Sequence, residues 1–259
     1  MEKALFISRF ADLKLLGNGY SRVYFGNEFC EGLIPGTEEI KDMLDFTAGE
    51  RLKLTFVTCY CTDRGIKKIE NAFELLSAYK DIDALDPEVV FNDFGVLMAM
   101  RRHRLKPVMG RLLTRQSRDP RIRDFAKEYP LKKWMHLKEY AVADQYCEDF
   151  FKQQNIERIE IDNLLQGIHI SARHGTGPKV SLYFPFGYVT TGRSCPLTGR
   201  EYPLSCQKPC LAYPVPRLSY NSMPVPLYFK GNTVFFRNNR LPQLSDYKMI
   251  DRLIWQPAL

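Results

Sequence analysis

Short runs in which almost every position is apolar alternate along this chain with longer runs in which apolar residues recur every three or four positions. ALFI (4–7), SRVYFG (21–26), RLKLTFVTC (51–59), PEVVFND (87–93), KPVMGRLLT (106–114), ERIEIDN (157–163) and KVSLYFPFGYVTTG (179–192) read as strands. Between them, TEEIKDMLDF puts Ile40, Met43 and Leu44 at helical spacing, with Thr37 as a cap and Glu38 and Glu39 in the first turn. DRGIKKIENAFELLSAY aligns Ile66, Ile69, Phe73 and Leu76 on one helical face. FGVLMAMRRH and AVADQYCEDFFKQQN are further helices. Residues 115–141 lack a clean period, apart from a short helix over Leu131–Tyr140, and read as a long functional excursion. GIHISARHGTG is loop-like. LYFKGNTVFF reads as a hairpin turning at Gly231-Asn232, and SDYKMIDRLI as a last short helix.

Strand–helix alternation from residue 21 to 187 predicts a parallel sheet with helical crossovers. Six or seven strands, with no G-x-G-x-x-G and no P-loop, predict a TIM-like α/β barrel, complete or incomplete, rather than a Rossmann sheet. The predicted organisation is a barrel over 1–190. Over 191–259 a Cys-rich segment and a C-terminal β-hairpin extension pack on it. The C-terminal ends of barrel strands form the functional face. Asn92, Asp93, Arg111, Asp162 and Asn163 fall at or just after such ends.

The strongest chemical signal is GRSCPLTGREYPLSCQKPC. It spaces Cys195, Cys206 and Cys210 as C-x10-C-x3-C, with Pro196 after the first and Pro209 before the third. Turn-forming residues let three such thiols converge, and a fourth would complete the cage used by iron–sulfur clusters and by structural zinc. Zinc sites more often carry a C-x2-C knuckle. Cys59 and Cys61 share one face of a strand end, and Cys147 lies mid-helix and so outside the barrel. Cys30 follows a strand, as Cys195 does, and is therefore the expected fourth ligand.

Composition narrows the setting. The 259 residues are 45% hydrophobic, and no apolar run approaches a membrane span. Seven cysteines without a regular framework, behind an N-terminus that mixes acids and bases, point to the cytoplasm. The net charge of +7 is concentrated: Arg101–Arg123 holds nine Lys or Arg and one acid, so the remaining chain sums to −1. Two uses compete for that segment. It could contact the phosphates of RNA, or Arg111, Arg115 and Arg118 could clamp a small dicarboxylate. Asn92 and Asp93 are candidate catalytic groups at the mouth, unless Asp93 merely caps the following helix. His103, His136, His169 and His174 show no metal spacing, and neither G-x-S-x-G nor a zincin motif is present; a Cys–His peptidase pair stays open.

VVFNDFGVLMAM, PVMGRLLTRQSRDPR and FPFGYVTTGRSC resemble the collagenase-like peptidase family U32, over roughly residues 20–215. VYFGNEFC and the SC…C-x3-C segment are similar to those that supply cluster cysteines in its ubiquinone-biosynthesis members. The resemblance thus implies that Cys30, Cys195, Cys206 and Cys210 ligate a 4Fe-4S cluster. It also implies a barrel, oxygen-independent hydroxylation of a quinone or RNA, prephenate as oxygen donor in some members, and a heterodimer with a paralogous subunit. Two features depart from the pattern: a shorter gap between the second and third cysteines, and an N-terminus short for a full first strand–helix unit. The expected function is an iron–sulfur hydroxylase subunit. The alternatives are an RNA-binding protein with a structural metal site such as zinc, and a collagenase-like peptidase.

Overall fold

The computed structural model describes every residue except 81, 104, 141–144, 171–176 and 202–205. Eight strands, all parallel to their neighbours, close a barrel. In chain order its first seven are β1 (Glu2–Ile7), β2 (Arg22–Gly26), β3 (Lys53–Val57), β4 (Glu88–Phe91), β5 (Lys106–Met109), β6 (Arg158–Asp162) and β7 (Lys179–Phe184). An insertion follows: β8 (Phe186–Thr191), β9 (Ser194–Cys195), β10 (Arg200–Glu201), β11 (Arg217–Leu218), β12 (Leu227–Lys230) and β13 (Thr233–Arg237). The eighth barrel strand, β14 (Ile250–Trp255), then pairs with both β7 and β1. The helices are α1 (Thr37–Gly49), α2 (Asp63–Ala78), α3 (Ile82–Leu85), α4 (Phe94–Met100), α5 (Leu131–His136), α6 (Gln145–Gln154) and α7 (Pro209–Ala212).

Three readings change. The segment expected as a final helix is β14, so the barrel is complete and its last strand lies within 191–259. The first crossover has only a 3-10 turn, Phe10–Leu15, yet the barrel closes, because β14 supplies the missing neighbour of β1. The run 179–192 is two strands in different sheets. Pro185 has no N–H to continue the ladder, and the chain leaves the barrel there to start the antiparallel sheet β11-β12-β13-β8. At a finer scale, Gly36 rather than Thr37 takes the N-cap of α1, and Glu39 accepts the Gly36 N–H at 3.2 Å. Part of the expected helix 141–155, and His174, lie outside the described residues.

Apolar side chains fill the layer between strands and helices, as Val23, Phe25, Phe56, Ile69, Phe73, Ile159 and Ile161 illustrate. The barrel interior is different. Alternate residues of β2, β6 and β14 point inward, and many are charged. At the N-terminal end Arg252 donates to Glu88 at 2.5 and 3.0 Å and to Glu2 at 2.5 Å, while Arg22 donates to Glu2 at 2.9 Å and to Thr55 at 3.1 Å. Arg158 reaches Asp251 at 2.5 Å. This ionic storey closes the barrel floor.

Halfway up, Glu160 is fully buried, and neither of its oxygens has a hydrogen-bond partner among the described residues; the Tyr183 hydroxyl is likewise unsatisfied among them. Burial, reinforced by Glu28, raises the Glu160 pKa well above 4.5. The sign follows. Below the unfolded value both states hold the proton, whereas above it only the unfolded state releases it, so stability falls as pH rises toward the folded value. Glu160→Gln removes that penalty. Its urea midpoint is expected to exceed the wild type's at pH 8, by a margin that closes toward pH 5; equal midpoints at both pH values would contradict a buried neutral acid.

Candidate functional site

The insertion lies across the C-terminal mouth of the barrel. Asn238 donates to the carbonyls of Asn163 and Leu164 at 3.2 and 3.1 Å, and Tyr188 donates to the Arg111 carbonyl at 3.4 Å. Beneath it is a second ionic storey. Arg111, wholly buried, donates to Glu28 at 2.6 Å, Asp162 at 2.8 Å, the Phe186 carbonyl at 3.0 Å and Gln256 at 3.2 Å. Its guanidinium carbon lies 3.8 Å from the Tyr183 ring centroid. Arg118 donates to the other Asp162 oxygen at 2.6 Å and stacks at 4.2 Å over Tyr188. Burial alone would lower the Arg111 pKa, but Glu28 and Asp162 outweigh it and hold the group charged.

Two of the three arginines expected to clamp a substrate are therefore engaged by the protein's own carboxylates. The third, Arg115, is exposed with a φ of 48°. Most of the basic segment is neutralised in the same way: Lys106 pairs with Asp86, Arg102 with Glu70, Arg121 with Asp119 and Arg123 with Asp124. The segment runs from Lys106 at the start of β5 to Arg111 and Arg118 at the barrel mouth. Asn92 is buried and links strand ends. It donates to the Thr58 carbonyl at 2.8 Å and accepts the Leu112 N–H at 3.2 Å. Asp93 caps α4 through the Gly95 N–H at 2.6 Å, and its other oxygen accepts the Cys61 N–H at 3.3 Å.

The open cavity lies to one side, between the ends of β1, β2 and β14 and the insertion. It measures about 360 Å³, and Cys30, Cys195, Cys206 and Cys210 all line it. Each arrives on a different device. Gly26, at φ +138°, lets the chain leave β2, and the Asn27 side chain then accepts the N–H groups of Phe29 and Cys30 at 3.0 and 2.8 Å. Glu31, next in line, accepts from the Thr62 N–H at 2.7 Å at the start of α2, where the helix dipole favours a carboxylate. Cys195 sits on the β9–β10 hairpin, its carbonyl accepting the Thr198 and Gly199 N–H groups. Cys206 accepts the Lys208 N–H at 3.3 Å, and Cys210 opens α7 after Pro209.

Two of the four thiols are shifted by their surroundings. Burial pushes the Cys30 thiol up to about 11; the Gly32 N–H partly offsets this, and Cys210, Cys206 and Cys195 add to the rise. Burial likewise raises Cys210, with Lys230 opposing and Cys195 and Cys206 adding. Cys30, Cys195, Cys206 and Cys210 are free thiols. A side chain at Gly32 would stand 3.6 Å from the Cys30 sulfur and 3.7 Å from Cys206, so glycine keeps the space between them open. Arg64, Lys68, Arg193, Lys208 and Lys230 also line the cavity, and none forms a salt bridge among the described residues. Phe6, Phe29, Leu33 and Phe235 supply its apolar wall.

One residue central to this arrangement escaped the sequence reading. Asn232, expected only as a hairpin turn, donates to the carbonyls of Phe29 and Gly192 at 2.7 and 2.6 Å and to the Tyr60 hydroxyl at 3.1 Å. It thereby ties together the chain before Cys30, the chain before Cys195 and the end of β3. Glu28 was missed as well. A turn asparagine and an acid after a strand carry no distinguishing local signal.

A closed parallel barrel, mouth covered by an antiparallel insertion, with a cysteine-lined cavity at its edge, defines the class of this protein. No family model and no curated protein matches the sequence. Among solved structures, the U32 peptidase Mk0906 is similar across 100% of this chain and 93% of that chain, with 12% identity and a TM-score of 0.50. Human YKL-39, a pseudo-chitinase with retained chitooligosaccharide binding, matches 98% of this chain and 91% of that chain at 9% identity and a TM-score of 0.41. At 12% identity the likeness to Mk0906 is one of fold. The chain has the barrel of a U32 peptidase, the fold that its motifs implied.

Proposed function

We propose that this chain is an iron–sulfur protein in which Cys30, Cys195, Cys206 and Cys210 hold a 4Fe-4S cluster, acting as a subunit in oxygen-independent hydroxylation of a quinone or RNA. The carrying observation is that Cys30, from the end of β2, lines one cavity with Cys195, Cys206 and Cys210 of the insertion, together with five cations that form no salt bridge among the described residues. The donor set fits the group. Thiolates on a cluster leave net negative charge, which Lys208, Lys230 and Arg193 would offset. The sequence, which lacks the C-x2-C knuckle common in zinc sites, favours a cluster over zinc. Among the described residues, no three His, Cys, Asp or Glu are already gathered so as to hold a single metal ion.

When bound, a cluster supplies one-electron chemistry. The chain's own residues would do the rest. Arg64, Lys68 and Arg193 would hold a small organic anion such as prephenate, and Phe29, Leu33 and Phe235 would exclude water from it. A paralogous subunit would complete the assembly. The peptidase reading, carried by the neighbour's name, has less support. The Ser77–His103 contact, 3.2 Å, lies where α2 packs near α4, away from the cavity, and no acid orients that histidine among the described hydrogen bonds.

The test is anaerobic purification, with iron and sulfide analysis and a visible spectrum, of wild type and Cys195→Ser. The wild type is expected to carry about four irons and four sulfides with a broad band near roughly 400 nm, both lost in the variant. One zinc and no colour, or no metal at all, would overturn the proposal.

A further inference from the structure

Cys59 and Cys61 stand at the end of β3, outside the four-cysteine cavity set, and the proposed function makes no use of them. Their sulfurs face each other at 3.6 Å, and the Cys61 thiol also donates to the Cys59 carbonyl at 3.4 Å. A disulfide needs about 2.05 Å, so a small rotation of one side chain closes the pair. Cys59 is fully buried, whereas Cys61 is partly open to solvent. One member is thus reachable by a small oxidant, and the other is shielded as a resolving thiol.

The residue between them makes the pair consequential. The Tyr60 hydroxyl donates to the Gly192 carbonyl at 2.6 Å and accepts from Asn232 at 3.1 Å. Asn232 in turn holds the Phe29 carbonyl, one residue before Cys30, and Gly192 lies three residues before Cys195. A bridge from Cys59 to Cys61 would add a constraint to the backbone that carries Tyr60, and Tyr60 is tied to the loops that aim two cavity cysteines.

We infer that Cys59 and Cys61 form a redox-active dithiol that a low-molecular-weight disulfide of the glutathione class converts reversibly to an intramolecular disulfide. Cys61 loses its proton to solvent and attacks the oxidant, forming a mixed disulfide and releasing one thiol. Cys59 then loses its proton and attacks the Cys61 sulfur, releasing the second thiol. The pair gives up two protons and two electrons; the oxidant's disulfide takes them and leaves as two thiols. The inference does not rest on the cluster, because neither cysteine belongs to the cavity set.

Trypsin, cutting after Lys53 and Arg64, releases Leu54–Arg64, which contains both cysteines and no others. The full-length native protein is equilibrated in glutathione buffers from fully reduced to fully oxidised, trapped with an alkylating agent, digested and weighed. The doubly alkylated peptide is expected to give way to an unalkylated peptide lighter by two hydrogens, and reduction is expected to restore it. In Cys61→Ser the remaining Cys59 is expected to stay alkylatable after unfolding at every ratio. Two free thiols throughout the series in native wild type would overturn the inference. So would Cys61 crosslinked to Cys30 or to any other cysteine, or a bridge that appears only in urea-unfolded protein.

Discussion

Replacing Arg111 with methionine is expected to lower the unfolding free energy by about 3–5 kcal/mol, the cost of leaving a buried charge without its partner. Glu28 and Asp162 are both wholly buried, and Arg111 is the cation between them, at 2.6 and 2.8 Å. Methionine matches much of the volume and none of the five N–H donors. Arg118 could still neutralise Asp162 at 2.6 Å, but Glu28 would keep no partner of similar quality. Lysine is expected to recover only part of the loss, since one ammonium cannot reach Glu28, Asp162, the Phe186 carbonyl and Gln256 together. Urea unfolding at neutral pH measures the effect. A loss under about 1 kcal/mol would place Arg111 among screened surface pairs and remove the argument that it is a structural plug rather than a substrate clamp.

Gly26→Ala carries the second large effect, about 3 kcal/mol, from backbone strain and steric overlap together. The backbone at Gly26 has φ +138°, a region that L side chains avoid, and an added Cβ would stand 2.1 Å from the Val57 carbonyl oxygen. That oxygen belongs to the backbone of β3 and accepts the Asn27 N–H at 3.2 Å, so it has no freedom to yield. The turn that Gly26 permits also presents Asn27, Glu28 and Cys30 to the mouth. The variant is therefore expected to lose thermal stability and, on the proposed cluster reading, to retain less iron than wild type under the same anaerobic purification. Unchanged unfolding would mean that the strand end can re-route, and the account of how Cys30 is aimed would fail.

These two positions show how much was legible beforehand. Val23 and Phe25 alternate with Arg22 and Tyr24, and the strand was recognisable because all its positions are buried. β14 was not. Ile250, Leu253 and Ile254 mimic a helical spacing, while the inward-facing Arg252 looks like a solvent-exposed residue. Only the presence of Glu88 and Glu2 across the barrel, at 2.5 Å each, makes an arginine an interior residue. The same ambiguity surrounded Arg111 and Arg118. In sequence they read as spare positive charge, and in the fold they are matched by Glu28, 83 positions from Arg111, and by Asp162, 44 positions from Arg118.

The local pattern by itself determined the strand–helix alternation, the parallel barrel that follows from it, and the close spacing of Cys195, Cys206 and Cys210. Each of these depends on spacing or on turn-forming neighbours, which are local properties. Tertiary structure alone decided that β14 closes the barrel, that the interior is ionic, that the clamp arginines are neutralised, and that Asn232 binds three separate loops at one point. Those outcomes depend on which groups meet across the fold. A charged or amide side chain has the same local appearance whether water or a buried partner satisfies it.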